Sequence, residues 1–238
     1  MVNTIQKPKF EEVVAFINLP DVGLKFNPQK FGPSNFAGLR QAEYGPGSRM
    51  STMPELVPFV YASLENQKCK TAKKVVQTLK QYWLTGNISI LYVPEGMFTQ
   101  DDPELRNGRI SMDQKTLEKR LGSHEERGVV FSKDKHIRFI PYGFKRESQS
   151  ALELARNPGV IALTGSEENA EMFAKTSGHY RSNPFLWALS DVDSPQIRVA
   201  GLGLDEFGGG LGVFAGGSED DWDRYSFGVF EDTKATSP

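Results

Sequence analysis

The chain has 238 residues, enough to bury a sizeable core in one large or two small domains. Hydrophobic residues at 38% and charged residues at 24% are the balance of a water-soluble globular protein, and a formal net charge of -2 argues against wholesale electrostatic attraction to nucleic acid or anionic membrane. Cys69 is the only cysteine, which excludes an intrachain disulfide and a multi-cysteine zinc site; with no apolar run of membrane-spanning length and no signal-like N-terminus, a cytoplasmic protein without a membrane partner is expected.

Phe10, Val13, Val14 and Ile17 recur at helical spacing and predict a short amphipathic helix over 9–18, ended by Leu19-Pro20. Residues 20–53 are rich in Gly, Pro, Asn and Ser without a sustained period and read as a long irregular arm. Thr52 and Glu55 form a capping-box pattern at the start of a helix that Pro58 kinks or delays. A second helix is predicted over 70–84, with Val75, Val76, Leu79, Tyr82 and Trp83 on one face and Gly86 as its left-handed cap.

Beyond the helices the pattern turns to strands. Ile88–Val93 is β-rich and stopped by Pro94; residues 99–109 read as a polar loop. Ser111–Gln114 opens a short helix to Leu121, and 129–131 with 136–140 form a β-hairpin. A helical turn or two follows at 150–156. Val160–Leu163 then reads as a strand, followed by Thr164-Gly165-Ser166 and a helix over Glu167–Lys175. Four strands close the chain at 185–190, 196–204, 211–215 and 225–230, with connections short enough for an antiparallel meander. The expected fold class is therefore α+β, with a helical N-terminal portion (1–86) on a mixed, largely antiparallel sheet portion (87–238). The two portions are able to share one core.

Glycine crowds the stretch from Gly201 to Gly217. A dinucleotide fingerprint needs a helix after its glycines, and here a strand follows, so hairpin turns and close strand packing are the first explanation. A ligand lying against the backbone of Gly208, Gly209 and Gly210, with His179 as an acid–base group, is the alternative. The acidic loop beside it offers Asp220, Asp221 and Asp223 as a weak site for a hard cation, although it lacks the register of an EF-hand. Thr164-Gly165-Ser166, opening a helix, is a formal anion site that Glu167 and Glu168 oppose.

Helices 54–66 and 70–84 followed by the strand at 88–93 resemble the order of a winged helix, which would offer Lys70, Lys73, Lys74 and Lys80 to phosphates. Arg40 and Arg49 in the arm, interleaved with Phe26, Phe31, Phe36 and Tyr44, suit a single strand of nucleic acid, and equally an arm packing its rings on its own domain. The leading expectation is a non-enzymatic binding protein that contacts nucleic acid or another anionic partner through this basic helix. The alternatives are an enzyme or small-ligand receptor at the glycine-rich and acidic loops, and a structural protein of a homo-oligomeric assembly. No cofactor is called for.

Overall fold

The computed structural model describes residues 9–13, 16–204 and 209–230, which form seven helices and a largely antiparallel sheet of 15 strands. This is the expected α+β class. In chain order come β1 (Glu11–Val13), β2 (Phe16–Leu19), a 3-10 turn (Pro20–Val22), β3 (Leu24–Ser34), α1 (Phe36–Gln41), β4 (Ser48–Met50), α2 (Met53–Glu65), α3 (Lys70–Gln81), β5 (Trp83–Leu84), β6 (Ile88–Val93) and β7 (Gly96–Asp101). After a two-stranded hairpin, β8 (Glu104–Arg106) and β9 (Arg109–Ser111), follow α4 (Gln114–Arg120), β10 (Leu121–Glu126), β11 (Val129–Ser132), β12 (Ile137–Pro141) and β13 (Glu147–Ser148). The chain ends on α5 (Ala151–Ala155), α6 (Pro158–Thr164), α7 (Glu167–Ser177), β14 (Phe185–Trp187), β15 (Gln196–Leu204), β16 (Leu211–Gly217) and β17 (Arg224–Phe230).

The sheet runs β1-β2-β3-β17-β5-β15-β6-β7-β12-β11-β10, with β4 on β17, β16 on β15, β14 on β16 and β13 on β14. Strand alternation divides its side chains between two faces. Leu211, Val213 and Ala215 of β16, Ala200 and Leu202 of β15, and Tyr225, Phe227 and Val229 of β17 join the main core under α2, α3, α5, α6 and α7. On the opposite face Val199 meets Phe36, Leu39, Tyr44 and Ile110, while Leu91, Val93 and Phe98 meet Leu117. There α1, α4 and the β8–β9 hairpin are the cover. Among the described residues, the part of that second face built on β5, β14 and β16 carries no helix.

Local chemistry explains the helices. Glu55 accepts hydrogen bonds from the Thr52 N–H (2.8 Å) and hydroxyl (2.9 Å), and Arg49 grips it with two guanidinium nitrogens at 2.8 and 2.9 Å. Pro58 lies inside α2 and has no N–H for the carbonyl of Pro54. Asn169 of α7 donates to that carbonyl instead, at 3.1 Å, and also to Thr164 O at 2.7 Å. A buried ion pair joins β12 to β7: Arg138, 1% exposed, holds Asp101 through two 2.8 Å hydrogen bonds.

Several expectations need correction. The proposed helix over 9–18 is the β1–β2 hairpin, where Ile17 and Leu19 are buried in strand alternation; Val14, which seemed to support the helix, lies outside the described residues. The irregular arm is ordered as β3, α1 and β4, with Phe26 stacked on Phe59 at 4.2 Å and Phe31 against Tyr44 at 4.3 Å. Residues 99–109 contain the end of β7 and most of a hairpin rather than a polar loop. Val160–Leu163 is helical: Asn157 accepts from the Gly159 N–H, Pro158 occupies the first turn, and Gly165 closes α6 in the left-handed region at φ 91°. The C-terminal strands form a meander only in part, since β14 pairs parallel to β16 and β17 pairs with β3, β4 and β5. Helix α3 ends at Gln81, and Trp83 enters β5. The strand at 88–93 is an inner strand of a fifteen-stranded sheet, which has no counterpart in the winged-helix order.

Candidate functional site

The uncovered face is a patch of aromatic rings bedded on glycine. The outward positions of β15 include Gly201 and Gly203, and those of β16 are Gly212, Phe214 and Gly216. A Cβ at Gly203 would lie 2.5 Å from the Trp83 ring, at Gly212 2.1 Å from Phe185, and at Gly216 1.6 Å from Trp187. Those distances are less than any real carbon contact, so the rings lie where side chains would otherwise stand. Phe214 is the hub: Trp187 stacks on it at 4.7 Å and 11°, and Trp83 meets it edge-on at 4.8 Å. Phe185 approaches it edge-on at 6.4 Å. Glycine in a strand gives up packing and entropy, and aromatic rings laid over it recover part of that loss.

The loop Ser218–Asp223 borders this patch and is firmly tied. Glu219 accepts from Arg109 (3.2 Å) and from the Ile110 N–H (2.9 Å), while its own carbonyl receives the Phe36 N–H at 3.1 Å. Asp221 accepts from Arg224 at 2.7 Å and from the Ser218 N–H at 3.0 Å. Arg224 itself is buried; its side chain crosses Gly217, where a Cβ would sit 1.9 Å from Nη2, and it donates to Thr85 Oγ1 at 3.2 Å. Between loop and patch runs an open groove of about 710 Å³ lined by Pro33, Trp83, Phe214, Trp222, Asp223 and Arg224, among others. Trp222 is 68% exposed at its rim and Trp187 is 43% exposed on the patch. Trp187 and Trp222 are two of the four large apolar side chains exposed among the described residues.

The residues singled out in the sequence have other placements. Lys70, Lys73, Lys74 and Lys80 are all exposed on α3, whose opposite face buries Ala72, Val75, Val76 and Leu79. Arg40 is engaged by Asn87 (2.7 Å) and by Asp102, and Arg49 by Glu55, so both guanidiniums serve the fold. Gly208 lies outside the described residues; Gly209 takes φ 64°, and Gly210 packs against the Asn183 carbonyl. His179 Nε2 lies 3.0 Å from Glu65 Oε1, pairing the ends of α7 and α2. Asp220 faces Arg109 at 3.8 Å, Asp221 is held by Arg224, and among the described residues no three His, Cys, Asp or Glu side chains gather as a metal would require. The helix start after Thr164-Gly165-Ser166 already receives a carboxylate, Glu126 accepting from the Glu167 N–H at 3.0 Å.

Trp83, Phe185, Trp187, Phe214 and Trp222 were not singled out as a site. Their signal was in the sequence nonetheless: glycines two apart at 201/203 and four apart at 212/216 clear one strand face, and Phe185/Trp187 are spaced to cover it.

No protein-family model matches the chain, and no curated protein does. The architecture defines an α+β protein with a broad sheet and one glycine-bedded aromatic face. Its fold is similar to that of a solved structure concerned with the accommodation of massive sequence variation in Nanoarchaeota by the C-type lectin fold, at TM-score 0.52 and 18% identity, covering 85% of this chain and 95% of that one. No helix among the described residues is long and apolar enough to cross a membrane.

Proposed function

We propose that this protein is a binding module that captures its partner on the aromatic face of β5, β14 and β16 and the adjoining loop Ser218–Asp223. The observation that carries this reading is the exposure of Trp187, stacked on Phe214, and of Trp222, beside the groove that Phe214 lines, over rings that the glycines of β15 and β16 seat. Buried tryptophans at contact centres supply much of the binding free energy, and rigid rings lose little entropy when covered. The similarly folded Nanoarchaeota protein accommodates massive sequence variation. The same tolerance suits a face whose outermost side chains, Trp222 and Asp223, stand clear of the core.

Arrays of glycans, peptides and oligonucleotides probed with wild type and with the W187A/W222A double variant test this. Ligands retained by wild type and lost by the variant, with the variant's folded circular-dichroism spectrum kept and its thermal midpoint lowered by only a few degrees for the lost Trp187–Phe214 stack, are expected. Ligands held equally by both would remove the face from consideration.

A second reading keeps the α3 lysines as a contact for an anionic partner, nucleic acid included. It is favoured by the exposure of Lys70, Lys73, Lys74 and Lys80 along one side of α3. Its test is K73E/K74E/K80E at low salt, where affinity for single- or double-stranded oligonucleotides should collapse and where the wild-type salt slope counts the phosphates neutralised. Unchanged binding would discard it. A homo-oligomeric assembly role would show as a concentration-dependent mass by light scattering, and a strict monomer would discard that.

A further inference from the structure

We propose that the groove beside Trp222 takes a cationic side chain, an arginine or lysine presented by a basic segment of a partner protein; this rests on the aromatic face being the binding surface. The groove's lining combines three aromatic rings (Trp83, Phe214, Trp222) with the carboxylates of Asp221 and Asp223. Around the loop, among the described residues, Glu219 and Asp220 pair with Arg109 and Asp221 with Arg224, so four carboxylates, Asp223 included, meet two guanidiniums and the rim stays negative. Asp223 is exposed and makes no hydrogen bond or ion pair among the described residues, so its charge is open to a visitor. The one cation lining the groove, Arg224, is already committed to Asp221 and Thr85. Exposed indole faces attract ammonium and guanidinium groups through the ring quadrupole, and a neighbouring carboxylate adds direct charge attraction.

The protein uses the same chemistry on itself. Lys30 Nζ lies 4.2 Å from the Tyr82 ring centre and 4.4 Å from that of Tyr225, and Lys25 Nζ lies 3.6 Å from that of Phe16. In each case a lysine of β3 is seated on a ring of a neighbouring strand, Tyr225 of β17 or Phe16 of β2, with Tyr82 at the end of α3 joining the first pair. The groove offers an equivalent aromatic seat with a free carboxylate and no lysine of its own.

Tryptophan emission of the full chain, titrated with terminally blocked tetra-arginine, tetra-citrulline and tetra-glutamate, tests the assignment. Citrulline keeps the shape of arginine and removes its charge. Saturable quenching by tetra-arginine is expected, weakened on the order of tenfold or more with tetra-citrulline and by W222A or D223N, and weakened further by added salt. Tetra-arginine binding equally well to wild type, W222A and D223N would overturn the groove as its site. Equal quenching by the neutral or acidic peptide, with W222A still abolishing it, would overturn the cation and leave the aromatic face standing. If no peptide quenches, while ligands recovered on arrays still require Trp187 and Trp222, the inference fails alone; if nothing requires those rings, both readings fail.

Discussion

Gly216→Ala is the sharpest perturbation of the aromatic face. The backbone permits alanine there, since Gly216 is not among the positive-φ residues. Space does not: the new methyl would sit 1.6 Å from Trp187 Cζ3. Trp187 is partly in water, so the ring swings outward rather than straining the sheet, and the stack on Phe214 at 4.7 Å is lost. An aromatic pair contributes about 0.5–1.5 kcal/mol beyond its buried area, and overpacking costs about 1–3 kcal/mol in all. Removing a strand glycine returns roughly 0.5–1 kcal/mol. The net is a loss of about 1 kcal/mol, or about 2–4 °C in Tm for a chain of this length. Thermal unfolding by circular dichroism, with the tryptophan emission maximum read in parallel, measures both effects. The decisive arm is the W187A background, where the obstructing ring is gone and G216A should become neutral or stabilising. An equal loss in both backgrounds would refute the argument that the glycine exists to seat the ring.

Three further outcomes follow from the core and its charges. Asn169→Ala leaves the carbonyls of Pro54 and Thr164 without their donor, and urea unfolding should show a loss of about 1–3 kcal/mol. Arg138→Met leaves Asp101 buried without its partner, so the variant should lose about 3–5 kcal/mol in chemical denaturation, and D101N added to it should recover part of that. The Ser132 hydroxyl, with the His136 N–H and the Arg120 charge, draws the Asp134 carboxyl down to about 2 from 3.8. Because its folded value is depressed, its contribution is fully present above about pH 4 and lost as pH falls toward about 2; D134N should flatten that acid limb of a Tm-against-pH profile. Glu55 acts in the same sense: burial raises its carboxyl, but Arg49 and the Thr52 groups outweigh this and hold it below 4.5.

Much of the architecture is legible in the residues because local chemistry agreed with the fold. Thr52 and Glu55 mark the start of α2, the spacing of Val75, Val76 and Leu79 marks the buried side of α3, and β6 and β15 have the predicted bounds. The misreadings share a cause. Val160–Leu163 is a short apolar run, which periodicity alone does not assign; its helix is started by Asn157-Pro158. Residues 20–53 lacked a period because β3 pairs with a strand nearly two hundred residues later, at Arg224–Phe230, and its bulges break the alternation.

The candidate face was half visible. Its glycines stood out, but their purpose did not, because the rings they seat come from β5 and β14, distant in the chain. The lysines drew attention as a continuous block, whereas the tryptophans at 83, 187 and 222 are scattered and converge only through strand order. Arg40 and Arg49 looked available and are bound to Asp102 and Glu55.

Oxidative footprinting of the tryptophans, with and without a partner recovered from the arrays, bears most directly on the binding face. Leu152, an exposed apolar side chain on α5, serves as the internal reference. Strong protection of Trp187 and Trp222 with Leu152 unchanged is the predicted result. Protection confined to α3, with both tryptophans as reactive as in the free protein, would contradict it.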